Sequence, residues 1–240
     1  MGIVRACADA LAAGAAGDPV AASVQLEART GYPPEVIQKT AELLNEAHRK
    51  GLDLKDLVRV LDRASVFRTP AWTSLQFLKD LLESSPAIPL VSQVDLFEEA
   101  LGRKGRHLEA QAVLLSYREA VREGFPSGDL ARGCIRKLRH GMPPSEIPAF
   151  LAEALKWPLP PLPRTDALRL IAAGLAHGLP DEEVAAFGGF VAKNSMDERD
   201  GRILAARLEA NVRGGMQGRF LLAETLENFS GATPSAPAAR

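Results

Sequence analysis

Gly124-Phe125-Pro126-Ser127-Gly128-Asp129-Leu130 and Gly141-Met142-Pro143-Pro144-Ser145-Glu146-Ile147 lie one short helix apart and share one grammar. Glycine supplies the left-handed backbone just past a helix end, where a β-carbon would clash. An apolar residue follows, then a proline or aspartate near the N-cap of a second helix, with an acid in its first turn facing the positive end of the dipole. The next apolar residue completes a hydrophobic staple, Phe125 with Leu130 and Met142 with Ile147. Each run therefore predicts a joint between two helices.

The same grammar recurs outward from this centre, at Gly51-Leu52-Asp53-Leu54-Lys55-Asp56-Leu57 and at Gly178-Leu179-Pro180-Asp181-Glu182-Glu183-Val184, with a shorter form at Gly31-Tyr32-Pro33-Pro34-Glu35-Val36-Ile37. The spacing is irregular, so this is a repeated joint and not a strict repeat period. Between joints the apolar residues fall at helical spacing, as in Val36, Ile37, Ala41, Leu43, Leu44 and Ala47. The two helices around Gly51 are expected to form an antiparallel hairpin. Together these features predict an all-α fold, an irregular stack or bundle of short antiparallel helical hairpins with a solenoid-like character.

Helix starts are expected at Asp18-Pro19, Thr69-Pro70, Ser92, Thr165 and Asn194 or Ser195, each carrying a capping side chain. Pro148 falls early in the helix after Gly141 and predicts a distorted first turn. Gly188-Gly189 weakens the helix after Gly178, and Gly214-Gly215 ends the one after Asn194. The proline pairs in Ser84-Ser85-Pro86-Ala87-Ile88-Pro89 and the run Trp157-Pro158-Leu159-Pro160-Pro161-Leu162-Pro163 break the chain into blocks. The expected organisation is helical hairpins over 1–85, a central three-helix block over 90–156, hairpins over 164–229 and a flexible tail over 230–240.

The 240 residues are enough for a sizeable core. Apolar residues make up 46%, which fits a globular chain, and aromatics only 5%, so the core packs mainly through Ala and Leu. With 29 basic and 30 acidic residues, the balance offers no global attraction to nucleic acid or an anionic membrane. Cys7 and Cys134 are far apart and form no disulfide framework. No apolar run is long enough to span a bilayer, and Asp9 interrupts what would be the apolar part of a leader. The expected location is the cytoplasm, or the periplasm had a leader been removed.

The chemistry-bearing residues form no recognisable constellation. No His or Cys pair lies at metal-binding spacing and no acidic loop has calcium-ligand spacing, so no metal and no cofactor is expected. His140 and His177 each precede a joint glycine, where a positive imidazole would suit a helix C-terminus. His48 and His107 stand among polar residues and are expected to be solvated. Cys134 and His140 are the one tempting pair, but six residues along a helix is about 9 Å and places them on different faces. Gly214-Gly215-Met216-Gln217-Gly218-Arg219 lacks the ending of a P-loop and reads as a helix connector. No catalytic residue is assigned.

One local feature stands above background. From Arg103 to Arg139 there are nine Lys or Arg against four Asp or Glu. Arg132, Arg136 and Arg139 fall on one face of the helix after Gly124, opposite Leu130, Cys134 and Leu138. Like charges at that spacing cost an isolated helix a little stability. Acids on a neighbouring helix, solvent or bound phosphate could each offset the cost.

The run Gly141 to Ile147, following Leu138-Arg139-His140 and preceded one helix earlier by Gly124-Phe125-Pro126, resembles bacterial all-helical proteins of uncharacterised function built from short helical hairpins. The resemblance is clearest over 111–156 and implies the fold but no activity. The expected role is a non-catalytic scaffold or protein-interaction module with a protein partner and no small-molecule substrate. The alternative is nucleic-acid binding, with Arg132, Arg136 and Arg139 as candidate contacts.

Overall fold

The computed structural model describes residues 21, 31–66, 69–83, 88–103, 106–157, 163–185, 197–216 and 223–225. Among these the protein is all-α. The helices are α1 (Pro34–Arg49), α2 (Leu54–Val66), α3 (Ala71–Glu83), α4 (Leu90–Gly102), α5 (His107–Arg122), α6 (Ser127–Arg139), α7 (Ile147–Ala154), α8 (Arg164–Ala176) and α9 (Glu198–Arg213). The readings for Cys7, Gly188-Gly189, the tail, the first helix and all but residue 21 of the second and 223–225 of the last lie outside the described residues.

All five predicted joint glycines have positive φ: 63° at Gly31, 72° at Gly51, 113° at Gly124, 99° at Gly141 and 84° at Gly178. The hydrogen bonds explain why. After α5, Phe125 N donates to Ala120 O at 3.1 Å and Gly124 N to Val121 O at 3.0 Å, so the left-handed residue folds the chain back onto two orphan carbonyls. The same pair of bonds closes α1 at Gly51, α6 at Gly141 and α8 at Gly178. The apolar residue after the glycine then turns inward, as buried Phe125 and Leu179 show.

Helix starts follow the joint grammar at Pro33 and Pro126 and depart from the expected side-chain caps elsewhere. Five described helices begin immediately after a proline, namely Pro33, Pro70, Pro89, Pro126 and Pro163. The Ser92 and Thr165 caps are therefore corrected: both residues lie inside their helices, whose N-caps are Pro89 and Pro163. Proline loses nothing at an N-cap, because its missing N–H is not needed there and its fixed φ suits the position. Its carbonyl still accepts the first helical bond, from Leu130 N to Pro126 O at 3.0 Å and from Ala167 N to Pro163 O at 3.1 Å. Asp53 does cap α2, accepting from Lys55 N at 2.8 Å. Just before α9, Asp197 accepts from Asp200 N at 2.9 Å, and the expected caps Asn194 and Ser195 lie outside the described residues. The distorted turn expected from Pro148 is a 3-10 turn, Pro144–Glu146, running into α7.

The chain divides into two compact units, Met1–Leu115 with Pro143–Ser145, and Ser116–Met142 with Glu146–Arg240, so the division falls inside α5. In the first unit the closest packing is between second neighbours, α1 on α3 and α2 on α4, and the pairs α1–α2 and α2–α3 touch less. Its core includes Val36, Leu44, Leu57, Leu61, Leu78 and Phe97, with Phe77 stacked on Phe97 at 3.9 Å between ring centroids. Arg59 on α2 holds α4 through Glu98 at 2.9 Å and through Asp95. In the second unit α6 and α8 make the closest pair, again second neighbours among the α-helices.

Candidate functional site

Helix α6 positions the basic residues, and its opposite side explains where they end up. Leu130, Cys134 and Leu138 are buried on the face that sequence periodicity assigns to the core. Gly133 beside them lets α8 come close: a β-carbon at 133 would stand 3.0 Å from Leu175 Cβ and 3.5 Å from the Ala176 amide nitrogen. Gly174 is equally confined, a β-carbon there falling 2.9 Å from Leu179 Cδ1 and 3.2 Å from Val184 Cγ2. Gly133 thus lets the C-terminal end of α8 approach α6, while Gly174 makes room for Leu179 and Val184 of the segment that follows α8.

A cleft of about 260 Å3 opens between those ends, lined by Arg136, Lys137, His140, Leu175, Gly178, Leu179 and Pro180. One wall is cationic and the other aliphatic. Lys137 is held: it forms an ion pair with Asp181, and its Nζ lies 5.0 Å from the centroid of the Phe150 ring, which is in turn edge-on to Trp157. The Arg136 guanidinium lies over Gly178, where any β-carbon would overlap it. Of the helix's cations, Arg136 alone among the described residues has neither an ion pair nor a hydrogen bond.

The three arginines of the predicted face do not share one surface role. Arg132 is exposed and forms an ion pair with Asp129, three residues earlier on the same helix. Arg139 is exposed with an interaction of its own, and Arg136 is half-buried in the cleft. Of the offsets to like-charge repulsion, an acid on the same helix serves Arg132, while the acid across the α8 joint, Asp181, serves Lys137, a residue outside the predicted trio.

The neighbouring histidine is set chiefly by its burial. His177 is the C-cap of α8, as expected, but its surroundings oppose the positive imidazole that a helix end would favour. Burial lowers its pKa, and Arg132 and Arg136 lower it further against the opposing pull of Asp129. Burial also pushes the Cys134 thiol up to about 12, so it is a core side chain with no nucleophilic character.

His107 corrects a second expectation. Its ring is part-buried and edge-on to Phe77 at 6.1 Å and Phe97 at 5.5 Å, with both ring nitrogens buried and unpaired. The polar neighbours in sequence misled because the first residue of α5 points back into the first unit. Its burial lowers the imidazole pKa. A second hollow, about 500 Å3, is lined among the described residues by α9 alone, through Arg199, Arg202, Ile203 and Ala206.

Sequence reasoning identified Arg136 but missed Lys137, Asp181 and the apolar wall. The signal that could have found them is Gly133 inside α6, which marks the close approach of α8. Among the described residues, no helix is long and apolar enough to cross a membrane. No family model, curated protein or solved structure matches the chain.

Proposed function

We propose that the protein is a non-catalytic helical scaffold or protein-interaction module. The observation that carries this reading is an apolar stripe on α5: Leu108 and Leu115, two turns apart on one face, are 74% and 62% exposed. Large aliphatic side chains left in water on one face are costly unless a partner covers them. Trp72 on α3, 54% exposed beneath the Lys39 ammonium, adds an amphipathic contact of the kind enriched at interfaces.

The test is affinity capture followed by reconstitution from purified components. A captured protein should bind wild-type chain with defined stoichiometry, and Leu108→Glu with Leu115→Glu should weaken it at least tenfold while the far-UV signal stays unchanged. Equal affinity of the double variant would sink the α5 surface.

A second reading, nucleic-acid binding, draws support from the exposure of Arg132 and Arg139 on α6. It predicts an affinity that falls steeply with salt and is lost when Arg132, Arg136 and Arg139 are replaced by Ala. Binding that ignores salt, or survives those substitutions, removes it.

A further inference from the structure

The cleft between the ends of α6 and α8 combines an uncommitted guanidinium with an aliphatic wall, and no residue described so far uses that combination. We propose that it binds the free carboxy terminus of a peptide whose last side chain is aliphatic, the carboxylate pairing with Arg136 and the side chain lying against Leu175, Leu179 and Pro180. The inference rests on the interaction-module reading but uses a surface separate from the α5 stripe.

Four observations select this ligand chemistry. Arg136 carries five N–H donors in a planar fork that matches a carboxylate, and among the described residues none is used. Lys137, fixed between Asp181 and Phe150, contributes charge without being consumed by a ligand. A volume of about 260 Å3 accommodates one aliphatic residue and its carboxylate, and lies below the usual range of small-molecule pockets, about 300–1,000 Å3. The cleft is also open to solvent on one side, where the rest of a peptide can leave.

Electrostatics favour a monoanion over phosphate. The formal charges lining the cleft are Arg136 and Lys137, and Asp181, paired with Lys137, leaves a net of +1, with the Arg132–Asp129 pair neutral in sum. Two helices end here, and each C-terminus acts as about half a negative charge. Those two partial charges offset the net +1, so a carboxylate depends on bidentate pairing with Arg136 itself, and a phosphate dianion is opposed more strongly.

Fluorescence anisotropy on the full chain tests this with fluorescein-labelled tetrapeptides ending in Leu, Val or Asp, each as free acid and as carboxamide. The Leu and Val acids are expected to bind, their carboxamides and the Asp acid at least tenfold more weakly. Arg136→Met, which keeps the aliphatic stem, should lose at least tenfold, and Lys79→Gln, on α3, nothing. Carboxamides binding within threefold of the acids, or inorganic phosphate displacing the probe as well as the Leu acid does, overturns the proposal. Should Arg136→Met fail to fold, methyl NMR of the wild type decides: acid-specific shifts at Leu175 and Leu179 support the cleft, and shifts confined elsewhere overturn it. If no peptide binds, the cleft proposal fails while the α5 reading stands on its own capture experiment.

Discussion

The guanidinium of Arg136 lies on the α-carbon of Gly178, so that a β-carbon there would fall 2.6 Å from Arg136 Nε. The two halves of this contact differ in stiffness. The guanidinium is the far end of a flexible chain and can swing aside, but the backbone at φ 84° cannot relax without breaking the joint. Gly178→Ala is therefore expected to destabilise by about 1–2 kcal/mol through backbone strain. Adding Arg136→Met should leave that cost nearly unchanged in a urea double-mutant cycle. A coupling above about 1 kcal/mol would show that the guanidinium is rigidly seated.

Gly141 isolates the conformational cost, because nothing lies within 4 Å of where its β-carbon would go. Gly141→Ala should lose more than about 1 kcal/mol, and so should Gly124→Ala, where Leu168 Cδ1 also stands 3.2 Å away. Gly128 is the contrast, since it sits inside the first turn of α6 with only an Arg132 nitrogen at 4.0 Å. Gly128→Ala should stabilise by up to about 1 kcal/mol. Melting temperatures that move in the same direction at 128 and 141 would refute the assignment of the joints.

Acid should destabilise the fold partly through His107. The unfolded imidazole titrates near its ordinary value of about 6.5, while burial against Phe77 and Phe97 lowers the folded value. The unfolded state therefore takes up the proton first, so stability is full above about pH 6.5 and is lost as pH falls through the folded pKa. His177 shifts the same way and contributes separately. Chemical denaturation between pH 7.5 and 5 should show a smaller loss in His107→Leu than in wild type, and equal losses would exclude His107 as a source.

Cys134 should resist alkylation. Its thiol is buried and pushed up to about 12, so almost no thiolate is present at pH 8. Peptide mapping after iodoacetamide should find Cys134 unmodified in the native protein and fully modified in urea. Rapid native labelling would mean that the α6–α8 interface opens.

The joints were legible in the primary structure because each is local. A glycine forced into the left-handed region, an apolar residue after it and the amphipathic run on either side lie within a few positions, and the backbone bonds at Gly51, Gly124, Gly141 and Gly178 follow from that neighbourhood. Helix class, the joint positions and the buried face of α6 were all determined at this level. The starts at Pro89 and Pro163 are also local, because a proline carbonyl accepts the first helical bond without a capping side chain.

The tertiary structure alone decided what each charge and ring does. Arg132, Arg136 and Arg139 have equivalent helical phase, yet Arg132 meets Asp129 and Arg136 meets Gly178, because the close crossing at Gly133 brings the α8 joint over one part of α6. Asp181 reaches Lys137 across 44 residues for the same reason, and His107 leaves its polar neighbours for two phenylalanines. Periodicity states which way a side chain points from its own helix. What waits there is set by the packing of helices distant in sequence, through volumes and distances that no single segment encodes.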